Sequence, residues 1–265
     1  MHLLAHGLSD IGLKRSGNED AFLLVPLDEL TPDPLPEQVT YVGEVPAAGI
    51  LLIVSDGIGG CNAGEVASAL AIATLHSLLR SAGESPDLPA AFLDAIKSTD
   101  LAVREAAQLS PDRTGMGATL TALWLRPEGA WLGQVGDSRL YRLRGDELRQ
   151  LSPEHSPVGR MRLSGELTED QARRHRFKNV IDQSLGGDPV TFLPEVLPVD
   201  LVAGDILLMC SDGLTDGLAD AELRPSLLGA LDSSLSPAEA AFALIEAAKL
   251  GSGRDNITAV IGRIV

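Results

Sequence analysis

Short apolar runs alternate with polar turns through most of this chain, and three longer segments repeat apolar residues at helical spacing. Runs of this length, bounded by Gly, Pro, Asn and Asp, are typical of β-strands. The predicted strands are 3–8, 20–25, 49–55, 118–126, 130–136, 139–144, 191–197, 205–211 and 256–264. The predicted helices are about 63–80, 90–108 and 236–251. Because strands and helices do not alternate regularly, the pattern favours antiparallel sheets flanked by helices over a doubly wound parallel sheet.

Two polar segments interrupt this pattern. Residues 26–48 contain five prolines and several acidic residues, which predicts a surface loop or insertion. The stretch from Pro153 to Lys178 is charged and has little core pattern, so we expect an exposed flap there. The length of 265 residues fits one large domain or two small ones.

Composition narrows the function classes. The formal net charge of -16 argues against a nucleic-acid footprint, which needs a basic patch, and disfavours anionic membrane surfaces. No apolar run is long enough for a membrane span. The two cysteines, Cys61 and Cys210, do not make a disulfide framework, and Met1 to Leu8 lacks the basic start of a signal peptide. We therefore expect a cytoplasmic protein that binds neither nucleic acid nor membrane.

Four aspartates stand at the ends of predicted strands. Asp56, Asp137 and Asp212 each follow an apolar run, and Asp255 directly precedes one. If these strand ends converge, the carboxylates share a cleft and repel one another unless they take up protons or cations. Hard divalent cations such as Mg²⁺ and Mn²⁺ prefer oxygen ligands. The pattern therefore predicts an oxygen-lined metal site.

The aspartates belong to a longer series of short motifs. In chain order these are Gly12-x-x-Arg15-x-x-Asn18-Glu19-Asp20, Ser55-Asp56-Gly57-Ile58-Gly59-Gly60 with Gly64-Glu65, Met116-Gly117-Ala118-Thr119-Leu120, Val135-Gly136-Asp137-Ser138-Arg139, Leu151-Ser152-Pro153-Glu154-His155-Ser156, Ser211-Asp212-Gly213-Leu214-Thr215-Asp216 and Asp255-Asn256-Ile257-Thr258. In order and spacing the series resembles the bacterial metal-dependent Ser/Thr protein phosphatases of the protein phosphatase 2C (PPM) family. The resemblance covers nearly the whole chain.

The resemblance implies an α+β fold: a four-layer α-β-β-α sandwich of two antiparallel sheets flanked by helix pairs. It implies one phosphatase domain over residues 1–265, with the surface loop at 26–48 and a substrate-modulating flap at about 156–180. The implied reaction is hydrolysis of phosphoserine and phosphothreonine in proteins by a water activated at a binuclear Mg²⁺ or Mn²⁺ centre. The implied partners are phosphorylated proteins, the substrates of a Ser/Thr kinase, and we expect a monomer.

The resemblance also assigns metal ligands. Asp56 would bridge the two metals, and the Gly57 carbonyl would bind one of them. Asp212 and Asp255 would complete the ligands of the other metal. Asp137 would hold a third, looser metal together with Asp212.

Two further residues would act beside the metals. Arg15 would clamp the substrate phosphate, for which its planar fork suits two parallel hydrogen bonds. Asp20 would sit near the binuclear centre through water. Each assignment has a structural alternative: the Asp-Gly pairs are common turn formers, Asp137 or Asp20 could cap backbone, and Arg15 could be a surface ion-pair partner.

The chain departs from the family pattern at several positions. Ile58 stands where bacterial members often have Met, Cys61 where they often have His, Glu154 where Asp is usual, and Ala118 where Thr is usual. None of these changes removes a predicted metal ligand. A catalytically weak regulator that binds phosphoproteins with the same fold is the alternative function.

Overall fold

The computed structural model describes residues 1–59, 63–82, 85–188 and 190–265. Cys61, one of the departures noted above, lies outside the described residues. The β-strands in these ranges are β1 (His2–Asp10), β2 (Asp20–Pro26), β3 (Gln38–Glu44), β4 (Ile50–Ile58), β5 (Gly117–Ala118), β6 (Leu120–Arg126), β7 (Gly129–Val135), β8 (Arg139–Arg144), β9 (Glu147–Gln150), β10 (Glu195–Val199), β11 (Ile206–Cys210) and β12 (Ile257–Ile264). The α-helices are α1 (Gly64–Ala82), α2 (Leu88–Gln108), α3 (Pro157–Leu163), α4 (Glu169–Arg173), α5 (Asp212–Gly217), α6 (Asp220–Asp232) and α7 (Pro237–Gly251).

The strands form two antiparallel sheets. The first has the order β3-β1-β12-β11-β8-β9, and the second has the order β10-β7-β6-β4-β2 with the short β5 paired to β4. β1 and β2 are neighbours in sequence but belong to different sheets, so the chain passes from one layer to the other between Asp10 and Asp20.

Three apolar cores separate four layers. Strand β4 shows the arrangement, because successive side chains of a strand point to opposite faces. Leu51 and Ile53 pack with α1 and α2 in one core, whereas Leu52 and Val54 face the other sheet. A third core joins the outer face of the first sheet to α6 and α7. The predicted α-β-β-α sandwich is therefore confirmed, and β4 reads as an unbroken apolar run because both of its faces are buried.

Two sequence predictions of local structure need correction. Residues 38–44, inside the expected surface loop at 26–48, form strand β3 at the edge of the first sheet. None of its residues is buried, so it lacked an apolar signal. Helix α6 was not predicted, because Pro225 lies inside it and reads as a helix breaker.

The flap region, residues 156–180, contains α3 and α4. Helix α3 begins at the N-cap Ser156 with Pro157 in its first turn, and α4 begins with a complete capping box at Thr168. Within the described ranges, no helix is long and apolar enough to cross a membrane.

Candidate metal centre

The predicted aspartates meet at one edge of the sandwich. Asp56 lies near the end of β4, Asp137 lies in the turn between β7 and β8, and Asp212 is the first residue of α5 directly after β11. Asp255 precedes β12 by two residues. All four line one cleft, together with Gly57 and Arg15. Strand ends from both sheets contribute, which is why residues so distant in sequence are brought together.

Hydrogen bonds behind the cleft fix the Asp56 backbone. The Asp56 amide donates to Thr119 Oγ1 (2.9 Å), and the Thr119 amide donates back to the Asp56 carbonyl (2.9 Å). The Thr119 hydroxyl also bonds the hydroxyl of Ser138 (2.8 Å), the residue next to Asp137. Thr119 therefore holds two carboxylate-bearing segments in a fixed relation.

Gly57 allows an unusually close backbone approach. A Cβ on Gly57 would lie 2.2 Å from the Gly64 carbonyl oxygen and 2.7 Å from the Glu19 carbonyl oxygen, so no larger residue fits. Gly12 meets the same limit beside Asp255, with φ of +76° and a Cβ position 2.1 Å from the Asp255 carbonyl oxygen. The backbone segments next to Asp56 and Asp255 are therefore packed so closely that only glycine fits at these two positions.

Asp20 lies behind the cleft rather than in its lining. Its carboxylate is buried and accepts hydrogen bonds from Ser211 Oγ (2.6 Å) and Thr258 Oγ1 (2.7 Å). Thr258 in turn bonds Ser9, whose hydroxyl accepts from Asn18 (2.9 Å). Asp20 therefore ties β2 to the strand ends that carry Asp212 and Asp255. The sequence analysis quoted Ser211 and Thr258 within the motifs but assigned neither of them a role.

Burial and mutual repulsion raise the pKa values of four carboxyls, those of Asp20, Asp56, Asp137 and Asp212. Burial is the larger cause for each, and neighbouring carboxylates add to it. The pKa of Asp212 rises to about 6, that of Asp20 to about 7 and that of Asp137 to about 8. The pKa of Asp56 rises well above its ordinary value, with Asp20 and Asp212 as its strongest charged neighbours. Without cations, the cleft therefore disfavours full ionisation of these carboxyls.

The donor set fits divalent cations. Asp212 Oδ1 is buried and has no hydrogen-bond partner among the described residues, so this oxygen has lost its water without a replacement donor. In the part of the chain that the structure describes, no three Asp, Glu, His or Cys side chains are close enough to hold one ion alone. Mg²⁺ keeps several waters and needs few protein ligands, so carboxylates spread around a cleft suit it better than a compact cage.

Arg15 stands at the edge of the cleft. Its Nη2 is 2.8 Å from Asp255 Oδ1, and its Nη1 donates to Glu19 Oε2 at 3.3 Å. The carboxylates of Asp255 and Glu19 raise the pKa of the Arg15 guanidinium, which stays fully charged. The guanidinium is thus half-exposed beside the aspartates, where an incoming anion can reach it.

Asn256 is a further site residue that the sequence reasoning passed over. Its side chain is buried, with Oδ1 accepting from the Glu19 amide (2.8 Å) and Nδ2 donating to the carbonyls of Ile11 (2.9 Å) and Gly17 (3.0 Å). It therefore folds the loop that carries Arg15 against the segment that carries Asp255. The cleft lining also includes Asn179 of the flap and Ile181, the residue just after the flap.

Comparisons with known proteins agree with this geometry. A family model described as protein phosphatase 2C matches residues 38–247. The chain is 35% identical over 259 residues to the serine/threonine protein phosphatase PstP of Mycobacterium tuberculosis, covering 97% of this chain and 44% of that protein. It is 32% identical over 270 residues to the protein phosphatase PhpP of Streptococcus pneumoniae, covering 96% of this chain and 94% of that protein. The chain thus spans less than half of PstP but nearly all of PhpP.

Solved structures show the same likeness. A serine/threonine phosphatase of S. agalactiae superposes with a TM-score of 0.82 at 30% identity, covering 99% of this chain and 100% of that one. The catalytic domain of PstP in complex with two manganese ions superposes with a TM-score of 0.76 at 32% identity, covering 99% of both chains. By the extent of the family match and these similarities, the chain belongs to the protein phosphatase 2C family.

Proposed function

We propose that this chain hydrolyses phosphoserine and phosphothreonine in proteins and depends on Mg²⁺ or Mn²⁺. The observation that carries the proposal is the single cleft that gathers Asp56, Asp137, Asp212 and Asp255 beside Arg15. The raised carboxyl pKa values and the unpartnered Asp212 oxygen support cation binding there. The named relatives, which are Ser/Thr protein phosphatases, support the reaction class.

The chain's own residues would share the metals as follows. Asp56 and the Gly57 carbonyl would hold one cation. Asp56, Asp212 and Asp255 would hold the other together with bound waters, since among the described residues no three such side chains are close enough to hold an ion alone. Asp137 would hold a third, looser cation with Asp212. When bound, two divalent cations can activate a water for attack and neutralise the phosphoryl oxygens. A neighbour's two manganese ions support two metals, and Mg²⁺ accepts the same oxygen ligands.

Arg15 would orient the phosphate. Its guanidinium lies next to Asp255 and is half-exposed, so a phosphate oxygen can replace a carboxylate oxygen as its acceptor. Asp20 would keep the strand ends in place through Ser211 and Thr258. Asp20 is not among the cleft-lining residues, and its Oδ2 already accepts two hydroxyl hydrogen bonds, which favours contact with the metal site through water over direct ligation.

The substrates would be proteins phosphorylated by a Ser/Thr kinase, and the role would be in signalling. A cytoplasmic location and a monomeric state stay predictions, the first resting on the sparse cysteines, of which the described Cys210 is buried and free.

The test is metal-dependent turnover. Purified chain should hydrolyse a phosphothreonine peptide and p-nitrophenyl phosphate with Mn²⁺ and should lose both activities in EDTA. Full activity in EDTA would contradict the metal mechanism. Tight phosphopeptide binding with Mn²⁺ but no phosphate release would instead identify the weak regulator.

A further inference from the structure

A buried carboxylate with two arginines lies between the cleft and the flap. Glu154 follows β9, and its side chain is 2% exposed. Its Oε1 is 2.6 Å from Arg139 Nε and accepts a hydrogen bond from Arg162 Nη2 at 2.7 Å. Burial alone would raise the pKa of Glu154, but the two guanidiniums hold it below its ordinary value. Glu154 is therefore ionised and depends on both partners.

The network continues to the start of α6. Arg162 Nη1 donates to Asp220 Oδ2 (3.4 Å), and the Tyr141 hydroxyl donates to Asp220 Oδ1 (2.8 Å). Arg139 Nη1 donates to the same tyrosine oxygen at 2.9 Å. The charges of Arg139 and Arg162 thus balance those of Glu154 and Asp220 in a network that is largely shielded from solvent. Loss of Arg162 would leave Glu154 and Asp220 facing one guanidinium.

Arg162 differs from the other members because it belongs to the flap. It lies in α3, and its side chain is 10% exposed, so this tie is shielded from solvent. Arg139 stands two residues after Asp137, and Glu154 stands two residues before the flap begins. The network therefore links the flap to the segment that carries Asp137, one of the cleft carboxylates.

The flap matters because its C-terminal part forms one wall of the cleft. Asn179, near the end of the flap, and Ile181, just after it, line the cleft together with the aspartates. Arg173 adds a second tie by donating to the carbonyls of Thr215 (2.6 Å) and Asp216 (3.0 Å) at the end of α5. The position of this wall thus depends on how firmly the flap is held.

We propose that Arg162 is a positioning residue that fixes the flap on the Arg139–Glu154–Asp220 network and so sets the cleft wall for the substrate protein. The proposal rests on the proposed function. A phosphopeptide extends from its phosphate to the flap wall, whereas p-nitrophenyl phosphate ends inside the cleft. Arg162 should therefore matter for the peptide and hardly for the small ester.

The experiment compares Arg162→Met, Arg162→Lys and the control Arg174→Met. Arg174 is an exposed flap arginine that pairs only with the exposed Asp170 among the described residues. With Mn²⁺, Arg162→Met should raise the KM for a phosphothreonine peptide about tenfold, the scale of a lost charge-assisted hydrogen bond. Its kcat/KM for p-nitrophenyl phosphate should change less than about twofold, and Arg174→Met should match wild type on both substrates.

A second readout needs no turnover. In metal-free protein, amide hydrogen exchange over residues 157–180 should be faster in Arg162→Met than in wild type. Arg162→Lys keeps the charge toward Glu154 but cannot also reach Asp220 with a planar fork, so it should be intermediate in exchange and in KM. It also serves if the Met variant does not fold.

Unchanged exchange in both Arg162 variants, or a parallel loss on peptide and small ester, would overturn the proposal. Wild-type protein that is inactive on both substrates with Mn²⁺ would contradict the proposed function instead. The exchange measurement would then still decide whether Arg162 holds the flap.

Discussion

Asp56→Asn tests whether the clustered carboxylates are built for cations. Asp56 is buried, and repulsion from Asp20, Asp212 and Asp137 adds to burial in raising its pKa. Asparagine keeps the shape of the side chain but removes the charge. In metal-free protein near pH 7.5, the variant should therefore be more stable than wild type, because it lacks a buried carboxyl whose ionisation is opposed by burial and by its neighbours.

The opposite should hold with metal. A cation that binds only the folded state at a hundred times its Kd adds about 2.7 kcal/mol to the free energy of unfolding. For a chain of this size that is a melting-temperature rise of roughly 5–10 °C. Because Asp56 is the proposed shared ligand, Asp56→Asn should lose most of this rise and turnover with it.

The assay is thermal melting in EDTA and in Mn²⁺, beside phosphopeptide kinetics. Asp146→Asn is a matched control, since that aspartate also stands next to a glycine in the chain but is 90% exposed. It should melt and turn over like wild type. A variant of Asp56 that melts lower than wild type in EDTA and keeps the full Mn²⁺ rise would show that the aspartate has a structural role and no part in metal binding.

Three further outcomes are expected. Arg15→Ala should lower kcat/KM for phosphopeptide about ten- to a hundredfold and keep the Mn²⁺ melting shift. A normal kcat/KM would show that other residues bind the phosphate. Asp137→Ala should keep most of that shift but slow phosphoprotein turnover. Complete loss of the shift would show that Asp137 binds the same cations as Asp56. In EDTA, the melting temperature should fall as pH rises from about 5 to about 8, because the folded pKa values of Asp212 (about 6), Asp20 (about 7) and Asp137 (about 8) lie above their unfolded values. A flat or rising profile would contradict the carboxyl repulsion.

The sequence predicted the layers because burial leaves a strong signal. β4 is apolar on both faces, and α1 and α2 repeat apolar residues at helical spacing, so the middle of the sandwich was readable. Strand β3 could not be predicted, because an edge strand with no buried residue does not need alternating apolar and polar positions. Helix α6 carries an internal proline that local rules count as a stop.

The site was predicted to a similar depth. Aspartates at strand ends are visible in the sequence, because a charged residue directly after a buried apolar run stands out from its neighbours. The hydroxyls of Ser211 and Thr258 were not visible, because small hydroxyl residues in turns usually bond local backbone. The Glu154 network was also hidden, since its members come from four separate segments and each charge alone reads as solvated surface.

The charge of the cleft lining gives a physical reason for the proposed metal dependence. Within the described residues, the carboxylates of Glu19, Asp56, Asp137, Asp212 and Asp255 line it with a single guanidinium, that of Arg15. The formal charge of this lining is -4 when all are ionised, which repels a phosphate dianion and which two divalent cations would cancel. In the proposed function, phosphate binding and hydrolysis would need the same cations, so a metal requirement for binding would not separate an enzyme from a regulator. Only release of phosphate, measured with Mn²⁺ present, distinguishes the two functions.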